Sequence, residues 1–290
     1  MRALAAIINI LGCVDFLNYW RLRERPFEAT WDTRFFYSSR DHEEALQRLL
    51  YLVGEHSMNI GMLSGEIGCG KTLTRSVFAR RLDPERHHVV TLENSGFPFN
   101  DLLGAMLRRL EAPGQGTGQS KFARCERFEK ALHRVRSEGR HMVMLLDEAQ
   151  DIPSSALREL RWLTNFNGGG HAYLTMVLIG QPELRQVVAA NPAINQRISL
   201  RFHLRPLSAA DVAGYLRHRL MAAGHAGGEL FSDESVQLLH ESTKGVPREL
   251  NRLAKLALEH AWLREVPRVE LESVRAVVHD LERHQALPVT

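Results

Sequence analysis

Gly65-Glu66-Ile67-Gly68-Cys69-Gly70-Lys71-Thr72 matches the pattern GxxxxGK[ST]. It stands between residues 58–64, which read as a short buried strand, and residues 75–82, which read as helix. With glycine near 7% of ordinary chains, the fixed positions coincide by chance in roughly one chain in a hundred of this length. The strand-to-helix setting lowers that figure further. Physically, the turn Gly65, Glu66, Ile67, Gly68, Cys69, Gly70 lets backbone N–H groups curl round phosphate oxygens, and the following helix aims its positive end at them. Lys71 supplies the point charge for the β and γ phosphates, the Thr72 hydroxyl a magnesium ligand, and Leu73 completes the binding segment. Cys69 reads as a small residue whose side chain points away from the phosphates.

Outward from that turn, strand and helix patterns alternate. Residues 41–55, 75–82, 99–110, 121–138, 154–164 and 184–190 read as helices, and residues 88–92, 142–146, 173–179 and 200–204 as further strands. The alternation predicts an α/β domain with a parallel sheet flanked by helices. Residues 114–120, rich in glycine, read as an exposed loop inside it. Beyond Ser208 the strand signal stops, and residues 209–223, 232–242, 248–264 and 271–283 carry helical spacing. The expected layout is an N-terminal extension and linker (1–40), a nucleotide-binding α/β domain (41–207) and a small all-α domain (208–290).

A phosphate turn of this kind needs a second carboxylate at the end of a neighbouring apolar strand. Met142-Val143-Met144-Leu145-Leu146-Asp147-Glu148 supplies it. Asp147 is expected to hold magnesium through water, and Glu148 to polarise the attacking water. The alternative for Asp147-Glu148-Ala149-Gln150 is an acidic helix start.

Composition narrows the class. The chain has 290 residues, 44% hydrophobic and 24% charged, which excludes disorder and a disulfide-stapled miniprotein. A net charge of +3 is too small to argue for nucleic acid or membrane, so any basic surface must be local. Three widely separated cysteines without ligand spacing fit a reducing cytosol and no zinc site. The apolar run 3–14 is about twelve residues, too short to span a bilayer; a weak signal segment and a packed amphipathic start are its two readings. The expectation is a cytoplasmic protein without an integral membrane segment, at most peripheral to the inner membrane.

The phosphate turn, the Leu145-Leu146-Asp147-Glu148-Ala149-Gln150 strand end, the segment Val177-Leu178-Ile179-Gly180-Gln181-Pro182-Glu183-Leu184 and the element Gly245-Val246-Pro247-Arg248 resemble the AAA+ ATPases. More narrowly they are similar to the ExeA (GspA) secretion-type branch, whose opening resembles Tyr19-Trp20-Arg21-Leu22-Arg23-Glu24-Arg25-Pro26-Phe27 with Phe35-Phe36-Tyr37. The resemblance covers about residues 15–283. It implies ATP and Mg2+ as cofactors, Gln181 at the sensor 1 position, where many members carry Asn, and Arg248 at the sensor 2 position of a helical lid. It also implies a homo-oligomeric ring or filament in which Arg197 or Arg201 is presented to the neighbouring subunit as an arginine finger, with Arg197 favoured.

Two roles follow from the resemblance. One is assembly of a secretion or envelope partner. Secretion-type members continue beyond the lid into further domains, whereas the 290 residues here are compact. The alternative resembles transposition regulators of the MuB, TniB and TnsC type, which coat double-stranded DNA. Helix 121–138 places Arg124, Arg127, Lys130 and Arg134 within about a third of its circumference, a stripe able to follow a phosphate backbone. A solvated charged helix face is the plainer reading of the same residues.

Overall fold

The computed structural model describes residues 16–55, 57–110, 120–168 and 170–285. The apolar run 3–14 and nearly all of the glycine-rich stretch lie outside the described residues. Contacts divide the chain into an α/β unit, residues 40–67 and 71–205, and a helical unit that takes residues 68–70, the segment before residue 40 and residues 206–290.

In the α/β unit β1 (Ile60–Gly65), β2 (His87–Leu92), β3 (His141–Leu146), β4 (Leu174–Gly180) and β5 (Ile198–Leu204) form one sheet in the order β2-β3-β4-β1-β5. Every neighbouring pair is parallel. Strands β1, β3 and β4 are buried along their whole length, which is why their sequences are largely apolar rather than alternating, and their polar residues Ser64, His141 and Thr175 are hydrogen-bonded. Between them run α1 (Arg40–Gly54), α2 (Lys71–Arg81), α3 (Phe99–Leu110), α4 (Lys121–Ser137), α5 (Ser154–Leu160), α6 (Leu184–Ala189) and α7 (Pro192–Asn195). Leu102, Leu103 and Met106 of α3, Phe128 and Leu132 of α4 and Leu157 of α5 join Met144, Met176 and Leu178 in one core. All five strands run the same way, so the ends of β1, β3 and β4 bring Gly65, Leu146 and Gly180 to one edge of the sheet, where open α/β sheets bind ligands.

Local differences from the sequence reading have physical causes. Helix α2 starts at Lys71 rather than residue 75, because the phosphate turn runs straight into the helix. The helix expected over 154–164 ends at Leu160 and tightens into a 3₁₀ segment, Arg161–Asn165, where the Thr164 hydroxyl donates to the Arg161 carbonyl at 2.7 Å. A two-residue antiparallel pair, Asn167–Gly168 with His171–Ala172, is too short to leave a periodic signal.

The helical unit contains α8 (Ala209–Ala222), α9 (Asp233–Thr243), α10 (Pro247–Leu263) and α11 (Leu271–Gln285). Ser208 starts α8 with a capping box closed by Asp211, and Pro247 occupies the first turn of α10, where its missing N–H costs nothing. Residues 16–39, set apart by the sequence reading as an extension and linker, pack into this unit. Phe16, Trp20, Leu22, Phe27 and Phe35 are buried with Leu216, Leu250, Leu258 and Val274. Buried Arg219 donates to the carbonyls of Pro26 (2.6 Å) and Glu28 (2.7 Å), and Arg25 pairs with Glu259 at 2.7 Å. Five large apolar side chains in so short a stretch would be costly in water, so the segment completes the helical core instead.

Candidate nucleotide site

The phosphate turn closes β1 at Gly65 and reaches Lys71 through two left-handed glycines, Gly68 (φ 85°) and Gly70 (φ 92°), a conformation that side chains with a Cβ resist. Lys71 is buried, and its ammonium donates to the carbonyls of Gly65 (2.7 Å) and Glu66 (2.9 Å). The cation is thereby held along the rim of the turn. Glu66 and Ile67 are exposed, Cys69 is fully buried, and Thr72 and Leu73 are half-buried. The Arg248 N–H donates to the Gly68 carbonyl at 3.2 Å. The Arg248 residue is exposed.

Asp147 follows β3 and is 3% exposed. Its Oδ1 accepts from the Glu148 N–H at 3.1 Å, and its Oδ2 accepts from the Thr72 hydroxyl at 3.4 Å. The same Oδ2 pairs with the Arg75 guanidinium at 3.1 Å, both side chains being 5% exposed. Ser95 donates from its hydroxyl to the Asp147 carbonyl at 2.8 Å, which fixes the backbone at that point. Burial pushes the Asp147 carboxyl above the usual carboxylate range, and the Arg75 charge opposes that shift. The Thr72 hydroxyl and Asp147 carboxylate are two hard oxygen donors side by side, a set that suits magnesium, which binds few protein ligands and relies on substrate phosphates for others. No group of three or more potential His, Cys, Asp or Glu ligands occurs among the described residues.

Glu148 has a left-handed backbone, φ 50° and ψ 41°, unusual for a residue with a side chain. Its Oε2 accepts from Gln150 Nε2 at 2.8 Å and from Gln181 Nε2 at 3.4 Å. Gln181, just beyond β4, is thus brought to Glu148. The two candidate finger arginines stand apart from this constellation. Half-buried Arg197 is bonded to the Thr164 hydroxyl and, at 3.0 Å, to Asn165 Oδ1. Arg201 is exposed and donates to the carbonyl (2.9 Å) and side-chain oxygen (2.6 Å) of Asn195. It also lines, with Arg185 and His203, a cavity of about 310 Å³.

The basic stripe on α4 is only partly available. Arg124 donates to the Asn100 carbonyl at 2.5 Å and Arg134 to the Leu110 carbonyl at 2.6 Å, so both fasten α4 to α3. Lys130 remains exposed and Arg127 is half-buried. Helical periodicity locates such a stripe but says nothing of which guanidinium groups reach neighbouring carbonyls.

Two residues at the site went unassigned in the sequence reading. Arg75 lies one helical turn beyond Lys71, and that i,i+4 spacing was the available signal that it faces the same way. Gln150 was quoted within the strand-end motif without a role.

Residues 55–188 match the family described as AAA domain. The chain is 32% identical over 252 residues to general secretion pathway protein A of Aeromonas hydrophila, an alignment that covers 86% of this chain and 45% of that protein. It therefore spans less than half the length of that relative. Among solved structures, the Aeropyrum pernix ORC2 protein superposes with a TM-score of 0.67 at 16% identity, covering 91% of this chain and 75% of that one. The Aeropyrum pernix ORC1 protein in complex with DNA gives 0.63 at 19% identity, with 88% and 70% covered. At those identities the structural likeness speaks for the fold alone. No helix among the described residues is long and apolar enough to cross a membrane. A five-stranded parallel sheet, a phosphate turn entering α2, an acidic pair closing β3 and the match over residues 55–188 agree: the chain carries an AAA domain with the P-loop fold and is similar over most of its length to general secretion pathway protein A.

Proposed function

We propose that this chain binds ATP and hydrolyses it to ADP and phosphate at the Lys71, Thr72, Asp147 and Glu148 constellation, and that the cycle drives assembly or remodelling of a protein partner. The observation that carries the reading is the convergence of Thr72 and Asp147 at 3.4 Å beside a buried Lys71. Lys71 exchanges its carbonyl partners in the turn for β and γ phosphate oxygens. Thr72 and Asp147 would hold magnesium, whose charge would neutralise the phosphates. Glu148 orients the attacking water and accepts its proton, while Gln181 reaches the same locus from the end of β4. Arg248 acts from the helical unit as the sensor of nucleotide state. Turnover rises on self-association into a ring or filament, with Arg197 or Arg201 presented to the adjacent subunit on leaving its own-chain partners, Thr164 and Asn165 for Arg197 and Asn195 for Arg201.

The partner is proposed to be of the kind that the relative's name points to, a component of a secretion or envelope assembly, with the protein cytoplasmic or peripheral to the inner membrane. The alternative, DNA-dependent regulation of transposition, draws support from α4. That support is thinned by Arg124 and Arg134 spending hydrogen bonds on α3 carbonyls. Steady-state ATP hydrolysis with magnesium, with and without duplex DNA at low and moderate salt, tests both. The expected result is magnesium-dependent turnover that Glu148→Gln abolishes and DNA leaves unchanged. Stimulation by DNA that fades with salt would move the assignment to the transposition-type role, and absence of turnover with tight ATP binding would replace the motor by a switch.

A further inference from the structure

The Glu148 carboxylate accepts from two side-chain amides, that of Gln181 at 3.4 Å and, closer, that of Gln150. That amide faces three ways: Nε2 donates to Glu148 Oε2 at 2.8 Å and to Asp151 Oδ2 at 3.2 Å, and Oε1 accepts the Gln181 main-chain N–H at 3.0 Å. It therefore bridges the ends of β3 and β4, the two strands that deliver the acidic pair and Gln181. The bridge needs room. A Cβ built on Gly180 would lie 2.5 Å from Gln150 Oε1 and 3.3 Å from the Gln150 N, so glycine at 180 is what lets the amide lie against the end of β4.

The backbone at Glu148 makes the bridge necessary. In its left-handed conformation the residue carries strain that the surroundings must offset. The Glu148 N–H bond to Asp147 Oδ1 and the Gln150 amide are two restraints that hold that geometry. We propose that Gln150 is the positioning residue for the Glu148 carboxylate, set in place by Gly180 and tied to the Gln181 backbone, so that the water-orienting group and the β4 end move as one piece. Gln150 is not placed against substrate; it acts through Glu148. The inference rests on the reading of Glu148 as the water-orienting group.

The test uses the full chain with Gln150→Ala, Gly180→Ala and Glu148→Gln, singly and in pairs, and follows kcat, the Kd of a fluorescent ATP analogue with magnesium, and thermal unfolding. Misplacing a reacting group by about 1 Å costs on the order of 100-fold in rate. Gln150→Ala is expected to lower kcat by about 10- to 100-fold with nucleotide Kd within about two-fold of the parent. Gly180→Ala is expected to do the same, since its methyl displaces the amide, and to add little in the Gln150→Ala background. Gln150→Ala on top of Glu148→Gln is expected to add nothing, as residues acting as a unit are not additive. A folded Gln150→Ala protein with parental kcat while Glu148→Gln is inactive overturns the inference and leaves the Glu148 reading standing. Full turnover by Glu148→Gln overturns the reading and the inference with it. If Gly180→Ala loses its fold, Gln150→Ala and its pair with Glu148→Gln still decide the matter.

Discussion

Replacing Arg75 with methionine removes a charge but keeps most of the volume, and the consequence follows from where Asp147 sits. Both side chains of the pair are 5% exposed and 3.1 Å apart, so solvent screens the interaction little. Breaking a buried ion pair by deleting one partner typically costs about 3–5 kcal/mol, mostly because the survivor is left as an uncompensated buried charge. Asp147 is already driven above the usual carboxylate range by burial, and only the Arg75 charge, the Glu148 N–H and the Thr72 hydroxyl oppose that. At about 2–4 °C per kcal/mol, Arg75→Met should lower the melting temperature by roughly 6–20 °C in the absence of nucleotide and magnesium. Asp147→Asn should cost less, since Arg75 keeps a second carboxylate, Glu93, at 3.6 Å. Adding Asp147→Asn to Arg75→Met should then recover stability, because the buried charge that made the first change expensive is gone. Circular dichroism in a urea series on the four proteins of the cycle measures the coupling. Additive changes within about 0.5 kcal/mol, or an Arg75→Met protein as stable as the parent, would refute the argument.

Other outcomes follow from the same geometry. Lys71→Ala removes a charged donor from the turn and should weaken ATP binding by about 10- to 100-fold, read by titration with a fluorescent analogue; unchanged affinity would place the phosphates elsewhere. If Arg201 serves the adjacent subunit, Arg201→Ala and Glu148→Gln proteins that are each nearly inactive should regain turnover when mixed, and a mixture no more active than its parts would remove Arg201 from that role. Burial lowers the affinity of His88, His203 and His218 for protons, with Arg140 acting on the first and Arg185 on the second in the same direction. Folded values below the unfolded one mean that their contribution to stability is present above about pH 6.5 and is lost as pH falls through the folded values. The melting temperature should therefore drop between pH 7 and pH 5, less so in His203→Gln, and a flat profile in that window would contradict it.

The division between what the sequence discloses and what it hides follows from the range of the forces involved. Strands β1, β3 and β4 are legible because a strand covered on both faces is largely apolar, and the phosphate turn because close backbone approach at Gly65 and a positive φ at Gly70 demand glycine at fixed spacing. Those are local constraints, written where they act. Arg75 with Asp147 is a contact across 72 positions, Gln150 with Gln181 one across 31, and no periodicity encodes either. The same reasoning explains residues 16–39, whose buried apolar side chains pack against residues far along the chain, so that only the packed structure reveals Leu216, Leu250 and Val274 as their neighbours. It also explains the α4 stripe. Charge on one helical face is visible in the sequence, but whether a guanidinium meets solvent or a carbonyl of α3 depends on how closely two helices approach. Interior polar contacts of this type are worth most where water is excluded, and at this site they are the contacts made by Arg75 and Gln150. The acidic pair Asp147-Glu148 is thus readable as chemistry from the sequence, while the means of holding each carboxylate in place, one by a buried cation and the other by an amide fitted against a glycine, belong to the fold.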